Sequence, residues 1–574
     1  MFSRRETDGI AAHRTVHPMA RRRRSGRLIP LGGVGEIGKN SLLLEYAGRR
    51  LLIDAGVMFP EEELHGVDLV IPDFTHLYQH PERLEAVLLT HAHEDHVGAL
   101  PYLLKGLGRR VRIYGLRLTI GLIEPKLREH GVLRFAELIS VSGNDCLNLG
   151  PFRVSFVPVS HSVPDSAAIV VETPAGTLFL TGDFKFDQTA PDQTRTDLNR
   201  LRAIGDEGVL LLLSDCVRVE RPGVTPPERV VAEALDGIVR RASGRVIMTT
   251  FASNVIRLQQ AIEIACRYGR KVAVVGRSME ENLRVAADLH YLHLPPGTLA
   301  TIEELRRLPP EEVMILTTGS QGEPTSVLSR IAMGDHPMLR VIPGDTVVIS
   351  ATPIPGNEET VTRTIDNLMR RGATVLYPPI VPDIHVSGHA SRDELAALLR
   401  LLRPRYAMPV HGEFRMMVHY RNLAGETGVP AERVVFADVG DVIDFGDERV
   451  SRNGHVAAGS VLVDGLTVGG VNQIVLRDRR HLAADGVVIC AVAVDRETGR
   501  LVSGPETTAR GFIAPSASSV LAESAARVRR ALERRPAGEV EIGYLKGKIK
   551  DVLAHAIYTR TRLRPMILPV VTEI

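Results

Sequence analysis

At 574 residues the chain is too long for one hydrophobic core, and at about 150 residues per unit it implies several domains. With 44% hydrophobic and 24% charged residues, and no apolar run near the roughly 18 residues a bilayer span needs, the composition is that of an ordinary globular protein and excludes a membrane-spanning chain. A net charge of +2 gives no global electrostatic footprint of a nucleic-acid binder, so any such role must sit in a local groove.

Reading from the N-terminus, Arg4, Arg5 and the run Arg21 to Arg24 have no apolar block behind them. Residues 1–25 therefore read as a basic, solvated, disordered tail and not as a secretory signal, which makes the chain cytoplasmic. From Arg27 to about Asp215, strand-type runs at 41–46, 50–53, 86–89, 152–156, 168–172 and 177–180 are joined by turns such as Ala47-Gly48 and Ala175-Gly176, the punctuation of a meandering sheet. After Pro226 the rhythm becomes strand then helix. Strands at 245–250, 271–275, 313–317 and 346–350 alternate with helical patterns over 255–268 and near 280–289, which predicts a βαβ unit on a parallel sheet. From about Ser451 further strand-type runs lead to a helix over 544–561 and a strand at 566–571. These shifts set boundaries at 26–215, 216–349, 350–450 and 451–574. Cys146, Cys216, Cys266 and Cys490 are widely spaced with no Cys-x-x-Cys pair, which argues against a disulfide framework and against a cysteine zinc site. Any metal must then come from His and carboxylates.

The hexapeptide His91-Ala-His-Glu-Asp-His96 lies between the run 86–89 and a segment from Val97 that can start a helix. On such a turn His91 and His93 alternate toward one metal ion while Asp95 and His96 swing toward a second. Neutral imidazoles and carboxylates suit zinc, with positions left for water in a catalytic site. His161, Asp183 and His411 each end an apolar run. Asp183 could bridge two metals about 3.5–4 Å apart, and His411 would complete the second. Asp54 reads as a carboxylate that orients a ligand histidine. Singly, each is an ordinary residue at a strand end; beside the hexapeptide they form a two-metal set. Gly33-Val-Gly-Glu-Ile-Gly38 carries the GxGxxG string of a dinucleotide site, but a strand-type run follows where a helix is required, so it reads as a Gly-rich loop beside the metals.

In order, Asp54, the hexapeptide, His161, Asp183 and His411 match the motifs of the metallo-β-lactamase superfamily, and the 228 residues from Asp183 to His411 leave room for an inserted domain, as in the β-CASP nucleases. Within that group the chain resembles the bacterial ribonuclease J family over nearly its full length. Segments 29–40, 59–63, 66–73, 251–254, 318–323, 353–357, 385–391 and 562–569 fit in order. The resemblance implies an α/β fold: a metallo-β-lactamase αββα sandwich in two parts (26–215 and 350–450), an inserted β-CASP α/β domain (216–349), and a small α+β C-terminal domain (451–574) that supports a homodimer or homotetramer. It implies 5′-to-3′ exonuclease and endonuclease activity on single-stranded RNA, a preference for a 5′-monophosphate, roles in mRNA decay and rRNA maturation, and a place in an RNA decay complex. It also implies two Zn²⁺, replaceable by Mn²⁺, and a structural Ca²⁺ near 64–67 with Asp464. Asp215, His389 and His411 fall on the three β-CASP motifs. One departure stands out: after Ser214-Asp-Cys216 the family pattern gives a Thr-Asn-Ala-Glu-like stretch, whereas this chain has Val217-Arg-Val-Glu-Arg-Pro-Gly223.

Asp95 and His389 are the expected catalytic pair, Asp95 aligning or deprotonating the nucleophile and His389 assisting at the scissile phosphate. A 5′-phosphate pocket needs short hydroxyls and backbone N–H groups converging on an anion, which Gly319 and Ser320 with His385, Val386, Ser387, Gly388 and His389 can supply. Phe251 and Arg257 could position a base or a phosphate along the channel, and Phe251 suits the core equally well. Aromatics at 4% with no Trp favour recognition of the backbone over base stacking.

Overall fold

Leu211–Asp215 shows how the core is organised. Leu211 and Leu213 point into one apolar cluster and Leu212 into another, so this strand is buried on both faces. It belongs to a six-stranded sheet that faces an eight-stranded one. Between them lie Leu44, Leu51 and Leu88 from the larger sheet, and Phe156, Ile169, Leu180 and Leu213 from the smaller. On the outer face of the larger sheet pack helices Leu100–Leu107 and Arg117–Glu129. Helices Arg392–Leu402 and Phe414–Glu426 cover the smaller one. The result is a four-layer αββα sandwich, seen here in a computed structural model that describes residues 25–61, 64–190, 194–323, 325–354, 357–465, 467–470, 473–514, 516–534 and 541–574. The expected basic tail lies outside these residues except for Ser25, as do parts of segments 59–63 and 353–357.

Leaving the sandwich at Asp215, the chain builds a separate five-stranded sheet in the order Lys271–Val275, Val313–Thr317, Val246–Thr249, Thr346–Ile349, Thr374–Leu376, all parallel. It then returns at Tyr406–Val410, which pairs in parallel with Leu211–Asp215 itself. Exit and re-entry are thus neighbouring strands. The boundary expected at 349/350 cuts this inserted sheet, because helix Glu358–Arg370 and the strand Thr374–Leu376 still belong to it; three residues are too short a run to register as a strand by pattern. The boundary at 450/451 likewise falls inside the strand Arg449–His455 of the larger sandwich sheet, and Ser460–Asp464 pairs with Leu69–Pro72. A last α+β unit follows from Gln473, with helices Ala517–Glu533 and Ile542–Thr561 on the sheet Leu501–Arg510, Val487–Val494, Met566–Glu573. No helix among the described residues is long and apolar enough to cross a membrane.

The insert rests on the sandwich partly through Asp165, whose Oδ2 accepts from the Tyr291 hydroxyl at 2.5 Å and from Leu118 N–H at 2.8 Å. Tyr291→Phe is expected to cost about 1 kcal/mol and to speed amide hydrogen exchange in Arg117–Glu129 and Arg277–Asp288. Exchange indistinguishable from the parent protein would show that this contact does not hold the insert.

Candidate metal centre and the loops around it

Strands that run parallel end on the same rim, and the loops leaving that rim carry the polar residues. Asp54 follows Arg49–Ile53, the hexapeptide follows Leu84–Leu88, His161 follows Phe152–Val159, Asp183 follows Gly176–Leu180, and His411 follows Tyr406–Val410. Apart from Asp54, which stands behind His96, the structure brings them together in two groups, His91, His93, His161 and Asp183, and Asp95, His96, Asp183 and His411. Asp183 belongs to both.

In the first group His91 Nε2 and His161 Nε2 lie 3.0 and 3.1 Å from His93 Nδ1, and 3.6 and 3.9 Å from Asp183 Oδ2. In the second, His96 Nε2 is 3.6 Å from Asp95 Oδ2 and 3.3 Å from Asp183 Oδ1, while His411 Nε2 is 3.7 and 3.8 Å from Asp95 Oδ2 and Asp183 Oδ2. Tetrahedral ligands about 2.0–2.1 Å from a zinc ion stand roughly 3.3 Å from one another, the spacing seen here. His96 Nδ1 is held by Asp54 Oδ2 at 2.8 Å, and Asp54 itself accepts from Thr90 N–H and Oγ at 2.8 Å each. His161 Nδ1 donates to Gly388 O at 2.8 Å. Each ring is turned so that its other nitrogen faces the cluster.

Electrostatics set the two groups apart. Burial, then neighbouring imidazoles, push His91 and His161 well below the usual histidine range, and burial takes His93 to about 4. These rings are thereby kept neutral, each with a lone pair that a metal ion could use. Burial also opposes a proton on His96, but the carboxylates of Asp183, Asp95 and Asp54 overcome it and raise that histidine well above its usual value. Burial favours neutral Asp183, yet His411, His96, His389 and His91 hold it well below the ordinary carboxylate range. Its Oδ1 is buried with no hydrogen-bond partner. A carboxylate oxygen left so costs about 1–3 kcal/mol or more, which a divalent cation would offset. The residues therefore fit a divalent metal.

Several residues here gave no sequence signal of their own. The Asn40 carboxamide lies 2.9 Å from His411 Nδ1 and 3.3 Å from Asp95 Oδ2, and Gly33 O accepts from His411 N–H at 2.6 Å. The GxGxxG string is thus a loop that buttresses the site; Gly33, Gly35 and Gly38 all have positive φ, and a strand follows it. Only the spacing of Lys39 and Asn40 after the glycines could have hinted at this. Asp215 accepts from Val217 N–H at 2.9 Å and holds His389 Nδ1 at 2.8 Å, leaving His389 Nε2 3.9 Å from Asp183. Burial disfavours a charged His389, but Asp215 and Asp183 outweigh it and raise its pKa to about 9.

The loop 385–389 is tied down from behind by buried charges. Arg257 donates to Ser350 O, Val386 O, His385 Nδ1 and the Glu228 carboxylate, and Lys185 Nζ reaches Glu228 and Ser387 O, both at 3.2 Å. Burial, then Arg257, takes His385 down to about 3. Arg257 is completely buried, which overturns the expectation that it meets a base or phosphate in an open channel. Phe251 is half-buried. Gly319 and buried Ser320 follow Val313–Thr317 at the end of the inserted sheet where Ser350 follows Thr346–Ile349; Ser350, and not that turn, reaches toward the 385–389 loop, its Oγ donating to Ile384 O at 2.6 Å. Asp464 lies elsewhere. Its carboxylate meets the Arg479 guanidinium, which also donates to His65 O at 3.0 Å.

Fold and site together define a metallo-hydrolase of the metallo-β-lactamase superfamily with a β-CASP insert. The chain matches the family models described as Metallo-beta-lactamase superfamily over 34–224, Ribonuclease J beta-CASP domain over 243–368, Zn-dependent metallo-hydrolase RNA specificity domain over 379–434 and Ribonuclease J C-terminal domain over 474–574. It is 40% identical to ribonuclease J2 of Bacillus subtilis over 96% of this chain and 98% of that one. It is 42% identical to ribonuclease J of Thermus thermophilus over 95% of each. A crystal structure of a protein of unknown function from Enterococcus faecalis shares the fold over 73% of this chain and all of its own, with a TM-score of 0.51 at 16% identity. The chain belongs to the ribonuclease J family.

A Cβ on Gly388 would stand 2.4 Å from His161 Cε1 and 2.6 Å from Nδ1, so only glycine lets the loop carbonyl reach that ring. Gly388→Ala is expected to lower affinity for the divalent ion about 10- to 100-fold, measured by titration of the metal-stripped protein. Unchanged affinity would remove His161 from the ligand set.

Proposed function

We propose that this chain hydrolyses phosphodiester bonds of single-stranded RNA, as a 5′-to-3′ exonuclease that also cuts internally and prefers a 5′-monophosphate. The observation that carries this is the juxtaposition of the shared Asp183 with the Asp215–His389 pair, Asp215 at the end of the sandwich strand Leu211–Asp215 and His389 on the loop by which the chain returns from the inserted domain. A metal pocket alone would serve any small ester; a phosphate-facing loop beside it suits a polymer backbone.

His91, His93, His161 and Asp183 would hold one divalent ion, and Asp95, His96, Asp183 and His411 the other, zinc by donor type with manganese as a substitute. Such ions supply Lewis acidity, activating water and neutralising charge on the phosphoryl oxygens. Asp95, with its side chain 31% exposed, faces the open side, where it can align and deprotonate the attacking water. His389, protonated at neutral pH and oriented by Asp215, can contact the scissile phosphate and give its Nε2 proton to the leaving oxygen. The buried cations behind the loop fix its polarity. Val386 O and Ser387 O point at Arg257 and Lys185, so in planar trans peptides the N–H groups of Ser387 and Gly388 point the opposite way, available to a 5′-phosphate. His385 and the Gly319-Ser320 turn border the same end of the sheet. An apolar sheet face in the C-terminal unit, with Val502, Leu568 and Val570 exposed, suits a homodimer or homotetramer contact.

For the structural calcium the fit differs. We infer that the Arg479 guanidinium, joined to Asp464 and His65 O, takes the place of that cation. Added calcium should leave the thermal midpoint unchanged, and Arg479→Ala should lower it; a midpoint raised by calcium in the parent protein would overturn this.

With added Zn²⁺ or Mn²⁺, end-labelled 5′-monophosphorylated RNA should release mononucleotides from its 5′ end, and chelation should abolish the release. Asp95→Ala and His389→Ala should each reduce turnover about 100-fold or more. Equal rates on 5′-hydroxyl, triphosphate and monophosphate RNA would eliminate the pocket without touching the nuclease reading.

A further inference from the structure

Immediately after Asp215 the chain turns through Val217 to Gly223 and lies against the segment that follows His389. Arg218 makes an isolated parallel bridge with Ser391, and its Nε donates to Ser391 Oγ at 3.3 Å. Arg221 N–H donates to Arg218 O at 2.9 Å, and Arg221 O accepts from Arg392 N–H at 2.9 Å. Both arginines are thereby fixed at the lip of the site, Arg218 half-buried and Arg221 exposed. The charge of Arg218 is felt at His385, four residues before His389.

The carboxylates nearby are already committed. Asp215 holds His389 and Val217 N–H. Glu394 accepts from Phe186, Thr225 and Ser391 N–H groups. Glu220, on the same turn, faces Arg415 at 3.7 Å and His419 at 3.4 Å. Among the described residues no ion pair reaches either guanidinium of Arg218 or Arg221. After burial, the main influence opposing the charge of Arg218 is Arg221 itself; Glu394 and Asp215 favour that charge from their own hydrogen-bonded positions without reversing the balance. Two like charges on one short turn, with no ion pair of their own, attract a polyanion.

We propose that Arg218 and Arg221 form a phosphate-binding rim that grips the RNA backbone next to the bond at His389. This rests on the reading of RNA as the substrate. The rim adds affinity and salt dependence without reading sequence, since guanidinium–phosphate contacts carry no base information. It also gives the departure at 217–220 a use: the turn that keeps Asp215 in place presents cations outward.

The test is equilibrium binding of a fluorescent single-stranded oligoribonucleotide in EDTA, so that nothing is cleaved, across 50 to about 200 mM salt. Arg218→Gln and Arg221→Gln should each weaken binding about 3- to 10-fold and lower the slope of log affinity against log salt by about 0.7, while Arg218→Lys keeps the slope. An unchanged affinity and slope in the double glutamine variant would overturn the rim. So would equal losses in Arg218→Lys and Arg218→Gln, because the guanidinium would then serve only its bond to Ser391. Cleavage of the same RNA by the metal-loaded parent protein reports separately on the substrate reading, so the two can fail independently.

Discussion

Everything at the rim of this sandwich is arranged around one carboxylate. Asp183 is buried, close to six imidazoles, and has one oxygen that makes no hydrogen bond. A buried anion of that kind is tolerable only if positive charge comes to it. In the metal-free chain protonated histidines do so, His96 and His389 above all. The neutral triad of His91, His93 and His161 has no such proton and presents three lone pairs to one point, which is repulsive unless a cation stands among them. A divalent cation bound among these groups would satisfy the same geometry and would then couple folding of the rim to metal binding.

That constraint explains why the insertion leaves and returns where it does. Leu211–Asp215 and Tyr406–Val410 are adjacent parallel strands, so Asp215 and His411 arrive at the same rim although a whole domain separates them in the chain. The domain could drift on two flexible crossings. Lys185, Glu228 and Arg257 prevent this, since they come from the sandwich, the first helix of the insert (Glu228–Arg241) and its second (Val255–Arg267), and meet with almost no exposure. Buried ionic networks contribute little net stability but resist rearrangement, because breaking one contact strands the other charges. The 385–389 loop inherits that rigidity through its carbonyls.

The sequence made the His and Asp cluster readable because its chemistry is dense: four potential donors in six residues, and three more at the ends of apolar runs. The strands 41–46, 271–275 and 313–317 agree with the structure residue for residue, since each is bounded by turn residues and has the right composition. The end of the inserted domain was not legible, because Thr374–Leu376 is a strand by virtue of its neighbour and not its own pattern. Arg257 was misread for a related reason. An arginine at a strand-helix junction looks the same in sequence whether it faces solvent or a buried glutamate 29 residues earlier in the chain. Asn40 and Gly388 act through close contact with rings far away in sequence, which no local periodicity records.

The two donor groups are not equivalent as candidates for a metal. The first has three neutral imidazoles with Asp183 as its carboxylate; the second has two imidazoles, Asp95 and the same Asp183, with Asp54 behind His96. More anionic oxygen at the second position favours harder cations, whereas imidazole at the first favours zinc. Asp95 is also far more open than the shared carboxylate, with its side chain 31% exposed against 2% for Asp183. Exchange with solvent metal is therefore easiest on the side where the nucleophile would be prepared. Asp183, shared and enclosed, is the group that would tie two such ions together, while Asp95 leaves the outer side open.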